Sequence, residues 1–448
     1  MTSLLKYPIS RTLLLTGLAL VNAACTVGPD YVRPPLNLPP AYKEHTFSQP
    51  GALRAVPAEG RWWKIYNDRE LDGLLEQIEM QNPSLQAAEA RVRQARALTG
   101  LARSQQVPTV TAGGTNDLGL IANWEIDLWG RIRRTIEANG ASAEASAADF
   151  AAAKLSFQAQ LAQDYFLLRA RDAEIHLLQD LLALHTRGVQ IVHNQYAAGI
   201  LDRSQVSQAQ AQLGNTQVKL QDARLARAQL EHAIALLVGK APADFSLTET
   251  ALAAEVPELP PTLPAELLQR RPDIQATERR MAAASAQIGA AEATGYPSLN
   301  LFAGVSIGKG LLGGAEVAAP VYAGEAPQAR RMQASAAYDE AVANYRQTVF
   351  NALREVEDNL AAQRMLETAA GAQHDAVSAV REAARISDNQ YQAGILDFLA
   401  VVDVHTSATE SERVALDLLS RRLVTSVTLI KALGGSWLDT TGETHQAP

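Results

Sequence analysis

Asn194-Gln195-Tyr196-Ala197-Ala198-Gly199-Ile200-Leu201-Asp202 decides the reading of this chain, because it is a helix-to-helix turn set between two long proline-free stretches. Gly199 suits the left-handed cap that closes one helix, and Asp202 suits the N-cap that opens the next. From Pro108 to Pro242 there is no proline, and beyond Arg131 the residues are mostly Ala, Gln, Leu, Arg and Glu, which lose little on entering a helix. Gly140, Gly188 and Gly214 are isolated and lack a turn context. At about 1.5 Å per residue, a helix from Arg131 to Asn194 is roughly 95 Å long. An ordinary globular domain needs no such rod.

Behind the turn, Ala209, Leu213, Val218, Leu220, Leu225, Leu230, Ile234 and Leu237 keep a rough helical period, but the stripe is thin and alanine-rich. Ala141, Ala143, Ala145, Ala147, Ala148, Ala151, Ala152 and Ala153 favour close helix packing over a thick core. A ring or sheaf of helices fits better than a globule.

The turn recurs as Asn389-Gln390-Tyr391-Gln392-Ala393-Gly394-Ile395-Leu396-Asp397, at an offset of about 195 that also carries Gly239 onto Gly434. Pro83 and Pro108 answer to Pro272 and Pro297 at about 189, so roughly five or six residues were gained between Pro297 and Gly324. The chain reads as a tandem duplication of helix, hairpin, long helix, turn and helix. The first repeat covers 61–240 and the second 266–437, with a linker at 241–265 and a tail at 438–448.

Lys6 and Arg11 precede the apolar run Leu13 to Val21, which ends at Asn22-Ala23-Ala24-Cys25. This predicts an export signal over 1–24, too short to span a membrane. Cys25 is the only cysteine in 448 residues, so no disulfide can form within the chain, and a lipid acceptor is the economical use of an exported lone thiol. Residues 25–60 carry Pro34, Pro35, Pro39, Pro40, Pro50 and Pro57 with little periodicity, which reads as an extended strap ending at Trp62 and Trp63. A helix is expected from Arg69 to about Ile78, and a second from Pro83 to about Ser104.

Between 107 and 129 the period changes to two. Leu118, Leu120, Ala122, Trp124, Ile126 and Leu128 alternate with polar Asn123, Glu125 and Asp127, Ile121 being the exception, and Gly113-Gly114-Thr115-Asn116-Asp117 supplies a turn. Within 297–323, Leu299, Leu301, Ala303, Val305 and Ile307 alternate with Asn300, Phe302, Gly304 and Ser306. A glycine-rich tip is expected from Gly308 to Gly314, followed by Val317, Ala319 and Val321. Strands with one apolar and one polar face suit a membrane barrel, and two hairpins give four strands where the smallest barrels have about eight. One chain cannot close alone. Both hairpins are short, with about four strand residues ahead of the first turn.

Chemistry of other classes is not indicated. His45, His176, His185, His193, His232, His374, His405 and His445 are dispersed, with no His-x-x-x-His pair and no carboxylates placed to complete a metal site. Gly239-Lys240 is followed by Ala241 and lacks a phosphate-loop hydroxyl, and there is no nucleophile elbow, so neither an enzyme nor a cofactor is expected. A net charge of −8 argues against nucleic acid. The rival reading is a lipid-anchored periplasmic coiled-coil scaffold whose hairpins are only edges.

Four motifs in order carry a resemblance. Cys25-Thr26-Val27-Gly28-Pro29-Asp30-Tyr31-Val32-Arg33-Pro34, Trp124 to Arg131, Leu267-Leu268-Gln269-Arg270-Arg271-Pro272-Asp273-Ile274 and Ala432-Leu433-Gly434-Gly435-Ser436-Trp437 resemble the lipoprotein branch of TolC-type outer-membrane efflux factors. The resemblance implies a mainly α fold in a homotrimer: a 12-stranded transmembrane β-barrel continued by a tunnel of 12 long antiparallel helices. It also implies a Gram-negative outer-membrane location with a lipid anchor and a large periplasmic part. The implied partners are outer-membrane lipid, a periplasmic adaptor and an inner-membrane pump, commonly of the resistance-nodulation-division class.

By the same resemblance, the periplasmic gate maps onto Leu399 as apolar constriction, Asp403 as acidic ring and Tyr391 as gate-tying tyrosine. Three Asp403 carboxylates facing a narrow lumen would attract cations. Where some relatives tie the gate with an Arg and an Asp, this chain has Leu396 and Gln205. The turns Gly199, Ile200, Leu201, Asp202 and Gly394, Ile395, Leu396, Asp397 are the adaptor-contact candidates, with tight helix capping as their plain alternative.

Overall fold

The computed structural model describes residues 26–44, 61–113, 119–250, 252, 254–257, 270–306, 310–319 and 324–435. Cys25, the export signal, strap residues 45–60, the 258–269 segment with Leu267, Leu268 and Gln269, both hairpin tips, and 436–448 with Ser436, Trp437 and the tail lie outside the described residues.

In chain order the elements are α1 (Arg69–Gln81), α2 (Pro83–Ser104), β1 (Thr109–Gly113), β2 (Gly119–Ile126), α3 (Arg131–Ala197) and α4 (Arg203–Leu237). They continue with α5 (Pro272–Ala293), β3 (Ser298–Ser306), β4 (Gly310–Ala318), α6 (Ala326–Gln392) and α7 (Phe398–Ala432). The duplication is visible in the lengths. Helices α3 and α6 each have 67 residues, α4 and α7 each 35, and α2 and α5 each 22.

Three expectations for the helical parts need correction. Helix α1 runs past Ile78 to Gln81, since nothing disfavours helix until Pro83 forces Asn82 into extended backbone at ψ 116°. Trp62 and Trp63 do not simply end a strap: they open a 3₁₀ turn, Trp62–Tyr66, in which both indoles are buried and their centroids stand 5.8 Å apart. Within the α4 stripe, Val218 and Leu225 are exposed, while Thr216, Ala223 and Ala235 take buried places.

The chain divides into two compact units, and each draws on both repeats. Unit 1 takes the described residues of Met1–Leu38, Ala87–Ala152 and Pro272–Asn351; unit 2 takes those of Pro39–Gln86, Ala153–Arg271 and Ala352–Pro448. In unit 1, Ala141 of α3 meets Ala282 and Ala283 of α5, with Tyr31 of the strap packed on the seam. Small residues here allow the close helix contact that the alanine run implied. In unit 2 the core is thicker: Ile175 and Leu178 of α3 pack on Leu220 and Ala223 of α4, and the Tyr66 ring lies 4.8 Å from Phe166.

The described residues of each of the four motifs form a joint. In unit 1 the Arg134 guanidinium, 5% exposed, meets Asp30 Oδ1 at 2.8 Å and donates to the Val27 and Gly28 carbonyls. Tyr31 donates to Glu278 at 2.6 Å, and Arg33 donates to the Tyr345 hydroxyl at 2.7 Å. Asp127 caps α3 by accepting from the Ile132 and Arg133 backbone N–H, while Arg131 forks onto Glu125 at 3.1 and 2.7 Å. In unit 2, Gly239 and Gly434 have φ of +73° and +93°, and an added Cβ would stand 2.2 Å from the Gln81 carbonyl oxygen or 2.8 Å from that of Arg270. Only glycine fits both the dihedral and the approach. The last carbonyls of the paired helices are then capped by side chains, Leu237 by Asn82 at 2.8 Å and Ala432 by Arg271 at 3.1 Å.

The strands form one antiparallel sheet in unit 1, in the order β1-β2-β3-β4. Its register pairs Leu120 with Val305, Ala122 with Ala303 and Trp124 with Leu301 on one face. Asn123 with Phe302, and Glu125 with Asn300, share the other. Asn300 also pairs with Glu316, and Phe302 with Gly314. The expected alternation holds in the main, with Ile121, Phe302 and Leu312 as the apolar residues on the polar face. β1 is five residues long. The expected Gly308–Gly314 tip is shorter than read, because β4 begins at Gly310 and Gly313 and Gly314 are strand residues. The space a Cβ on Gly314 would fill is taken by the Phe302 ring, whose Cζ would be 2.9 Å away.

Candidate functional site

Two regions carry the candidate chemistry: the sheet of unit 1 and the helical turns of unit 2. On the sheet, Val110, Leu120, Val305, Leu311 and Val317 are all more than half exposed and lie on the apolar face. A monomer in water has no reason to display such a face, whereas hydrocarbon would accept it. Trp124 donates its indole N–H to the Gln106 carbonyl at 3.0 Å, and Trp129 donates to Pro297 at 2.7 Å while stacking on Tyr296 at 4.7 Å. Both indoles thus keep a polar anchor at the foot of a strand, which suits an interfacial girdle. β1 and β4 are the sheet's outer strands, and each leaves one row of backbone groups without a strand partner among the described residues.

The two turns of unit 2 are built alike. Gly199 at φ +73° and Gly394 at φ +72° end the long helices, with Ile200 N–H reaching the Gln195 carbonyl and Ile395 N–H reaching that of Gln390, both at 2.9 Å. Ile200 and Ile395 project from the tips, 69% and 76% exposed. Asp397 accepts from the Ala400 N–H at 2.8 Å, and the Asp202 N–H donates to Gln205 Oε1 at 3.4 Å. Leu201 packs inward on Val192, Val206 and Ala209, whereas Leu396 is half-buried.

Leu399 joins Leu201 and Val189 around that same Val192, Val206 and Ala209 cluster, so the start of α7 is seated on α3 and α4. Asp403, one turn further on, is exposed and accepts from Gln212 Nε2 at 3.3 Å. Tyr391 is half-buried and meets the Phe398 ring edge-on at 5.4 Å. Phe398 in turn lies under the Arg187 guanidinium at 5.6 Å. The three gate candidates therefore sit on one short stretch of chain, Tyr391 at the end of α6 and Leu399 and Asp403 in the first turns of α7.

Sequence reasoning missed the ladder that holds α7. His405 Nε2 contacts Asp388 Oδ1 of α6 at 2.9 Å, and the next residue, Thr406, bonds His185 Nε2 of α3 at 3.2 Å. Burial lowers the His185 pKa, with Asp403 pulling it back up. Further along, Arg413 meets Glu174 of α3 at 2.6 Å, and Glu410 accepts from Arg413 and from Lys219 of α4. Burial would raise the Glu410 pKa, but those two cations hold it below the usual carboxylate value. The ties between helices join partners 17 to 239 residues apart in the chain, which leave no local spacing to read.

A buried charge cluster was missed too. Asp172, fully buried, accepts from Arg169 at 2.7 Å, from Arg227 at 2.6 Å and from the Thr250 N–H at 3.2 Å. Both guanidiniums also bond linker carbonyls, Thr248 for Arg169 and Leu247 for Arg227. The cluster fastens the linker to α3 and α4. Among the described residues no three His, Cys, Asp or Glu side chains come together as a metal site.

A family model described as outer membrane efflux protein matches residues 74–240 and 263–435. The toluene efflux pump outer membrane protein TtgC of Pseudomonas putida is 26% identical over 464 aligned positions, covering 96% of both chains. The pyoverdine export outer membrane protein OpmQ of Pseudomonas putida is 30% identical, covering 96% of this chain and 98% of its own. The open-state MtrE outer membrane channel of Neisseria gonorrhoeae superposes with a TM-score of 0.81 at 26% identity, covering 92% of this chain and 98% of that one.

Proposed function

This chain belongs to the outer membrane efflux protein family, and from that premise we propose how its parts serve as a duct. It is an outer-membrane channel, the exit duct of a tripartite efflux system, and works as a trimer with a periplasmic adaptor and an inner-membrane pump. The observation that carries the rest is the four-stranded sheet with one apolar face, one polar face and two outer edges without strand partners. Four strands fall short of the eight or so a barrel needs, and copies of the chain joined edge to edge supply the remainder as a 12-stranded barrel. The apolar face then meets lipid and the polar face lines the lumen.

Leu399, Asp403 and Tyr391 form the periplasmic gate in this reading. Leu399 is held by its own chain's Val192, Val206 and Ala209, and Asp403 by Gln212, so opening requires α7 to leave that seat. The turns at 199–202 and 394–397, with Ile200 and Ile395 exposed, receive the adaptor. Cys25 carries the acyl anchor; Thr26, the residue after it, packs against Gly130 at the start of α3. The pump is of the resistance-nodulation-division class, and the reading assigns no catalysis to the chain. Its cargo is not set by kinship, since the relatives' names include both toluene and pyoverdine.

Single-channel recording in planar bilayers, with the mass of the detergent-purified oligomer, tests this. A trimer with discrete openings that favour cations is expected, and Leu399→Ala and Asp403→Ala should each raise conductance. Unchanged conductance in both variants overturns the gate assignment. A monomer that passes no current returns the chain to the periplasmic scaffold.

A further inference from the structure

On the sheet's polar face the register places three apolar residues, Ile121, Phe302 and Leu312, and one of them is aromatic. That face carries Thr109, Thr111, Asn123, Glu125, Asn300, Gly304, Gly314 and Glu316 at successive register positions, and among them stands Phe302, 42% exposed. A phenyl ring on the lipid side would need no explanation. On the lumen side it meets water, unless it has something to bind.

Two features make the ring a built surface. Gly314, its cross-strand partner, leaves a bare floor: a Cβ there would lie 2.9 Å from the ring Cζ and 3.2 Å from Cε1, so the ring lies down over the glycine. Its other partner is Asn123, and Glu316 stands two residues along β4 from Gly314. Diagonal neighbours of that kind are roughly 7–8 Å apart, within reach of a long side chain. Glu316 is exposed and has no ion-pair partner among the described residues, whereas Glu125 on the same face is taken by Arg131. An aromatic face beside an open carboxylate suits one ligand chemistry above others: an organic cation, which the ring's electron-rich face and the negative charge attract together.

We propose that Phe302 and Glu316 form a binding station for aromatic or quaternary-ammonium cations on the lumen wall of the barrel, repeated in each chain of the trimer. The inference rests on the duct reading for its lumen. The station makes the wall selective, because neutral or anionic solutes of the same size lack the charge term and find only one ring.

Equilibrium dialysis of the purified trimer against benzyltrimethylammonium, with benzenesulfonate as the anionic counterpart, tests it. The wild-type trimer should bind the cation and prefer it to the anion. Phe302→Leu keeps an apolar side chain of similar bulk and should weaken the cation roughly ten-fold, the scale of a partly desolvated cation–π contact. Glu316→Gln should weaken it about three-fold, as for an exposed charge pair, and narrow the preference over benzenesulfonate. Oligomer mass and circular dichroism confirm that each variant remains a folded trimer. Wild-type affinity in Phe302→Leu, or equal binding of cation and anion by the wild type, overturns the proposal. Bilayer recording keeps the two readings apart. A trimer that passes no current overturns the duct, while a conducting trimer whose block by benzyltrimethylammonium is the same in Phe302→Leu overturns the station alone.

Discussion

Copy one of the duplicated unit closes its long helix at Gly199 and copy two at Gly394, with the same tyrosine, isoleucine, leucine and aspartate at matching places: Tyr196 and Tyr391, Ile200 and Ile395, Leu201 and Leu396, Asp202 and Asp397. Just after the turn they part. Phe398, Leu399 and Asp403 of copy two answer to Arg203, Ser204 and Gln208 of copy one, and His405 and Thr406 to Gln210 and Ala211. What both copies keep is what a helical hairpin needs whatever its purpose. What only copy two has is the seated leucine, the exposed acid and the ladder of ties, so the gate assignment belongs to one copy and not to the fold.

The middle of the long helices diverges in the opposite sense. Arg169, Asp172 and Arg227 of copy one have Arg364, Glu367 and Arg422 as counterparts, the same charges in the same order. In copy one they are assembled around a fully buried carboxylate and hold the linker. In copy two Glu367 is exposed, and Arg364 instead pairs with Glu44 of the strap at 2.6 Å. Asp172→Ala strands two largely buried guanidiniums and should cost about 3–5 kcal/mol, whereas Glu367→Ala should stay within about 0.5 kcal/mol. Unfolding in detergent followed by circular dichroism measures both. Equal losses would mean that the charges act through the duplicated frame and not through burial.

A smaller difference concerns one proton. Asp164 of α3 is 7% exposed, and its counterpart in α6 is Asn359, the neutral isostere. Burial raises the Asp164 carboxyl from 3.8 to about 6, with the Gln160 hydrogen bond lowering it somewhat. A raised acid favours the folded state while it is protonated. That contribution is whole below the unfolded value and is lost as pH climbs through about 6. Asp164→Asn should therefore leave stability unchanged well below pH 3.8 and add about 3 kcal/mol above pH 7, with the gain growing between the two. A gain that is flat with pH would show that the carboxyl is not held in its protonated form.

Much of this was written locally and therefore legible. The turns, the proline-free helices and the alternating strands are set by residues within a few places of one another. A second copy also checked each boundary against the first. The gate candidates came from likeness to a family, and their packing could not be read because Leu399 leans on Val192 and Val206. Asp172 gave no signal, since a carboxylate at that spacing in an Ala-rich helix reads as a solvated face until Arg227 and the linker are folded against it. The β4 glycines were misread for the same reason. Two glycines look like a turn unless one knows that the Phe302 ring lies on Gly314.

The smallest expected effect falls on the turns themselves. Asp397 accepts a 2.8 Å bond from the Ala400 N–H, whereas Asp202 caps through a looser capping box with Gln205, whose return bond from the Asp202 N–H to Gln205 Oε1 is 3.4 Å. Replacing Asp397 with Ala should cost about 1 kcal/mol, the usual value of an N-cap, and replacing Asp202 should cost less. Amide exchange over residues 398–402 and 203–207 reads each loss where it occurs. If the adaptor grips these turns, a loosened cap weakens its binding in proportion to the lost helix, so the Asp397 variant should lose more adaptor affinity than the Asp202 variant. Equal exchange but unequal adaptor loss would place the aspartates in the contact itself, and equal loss in both would leave the turns as caps alone.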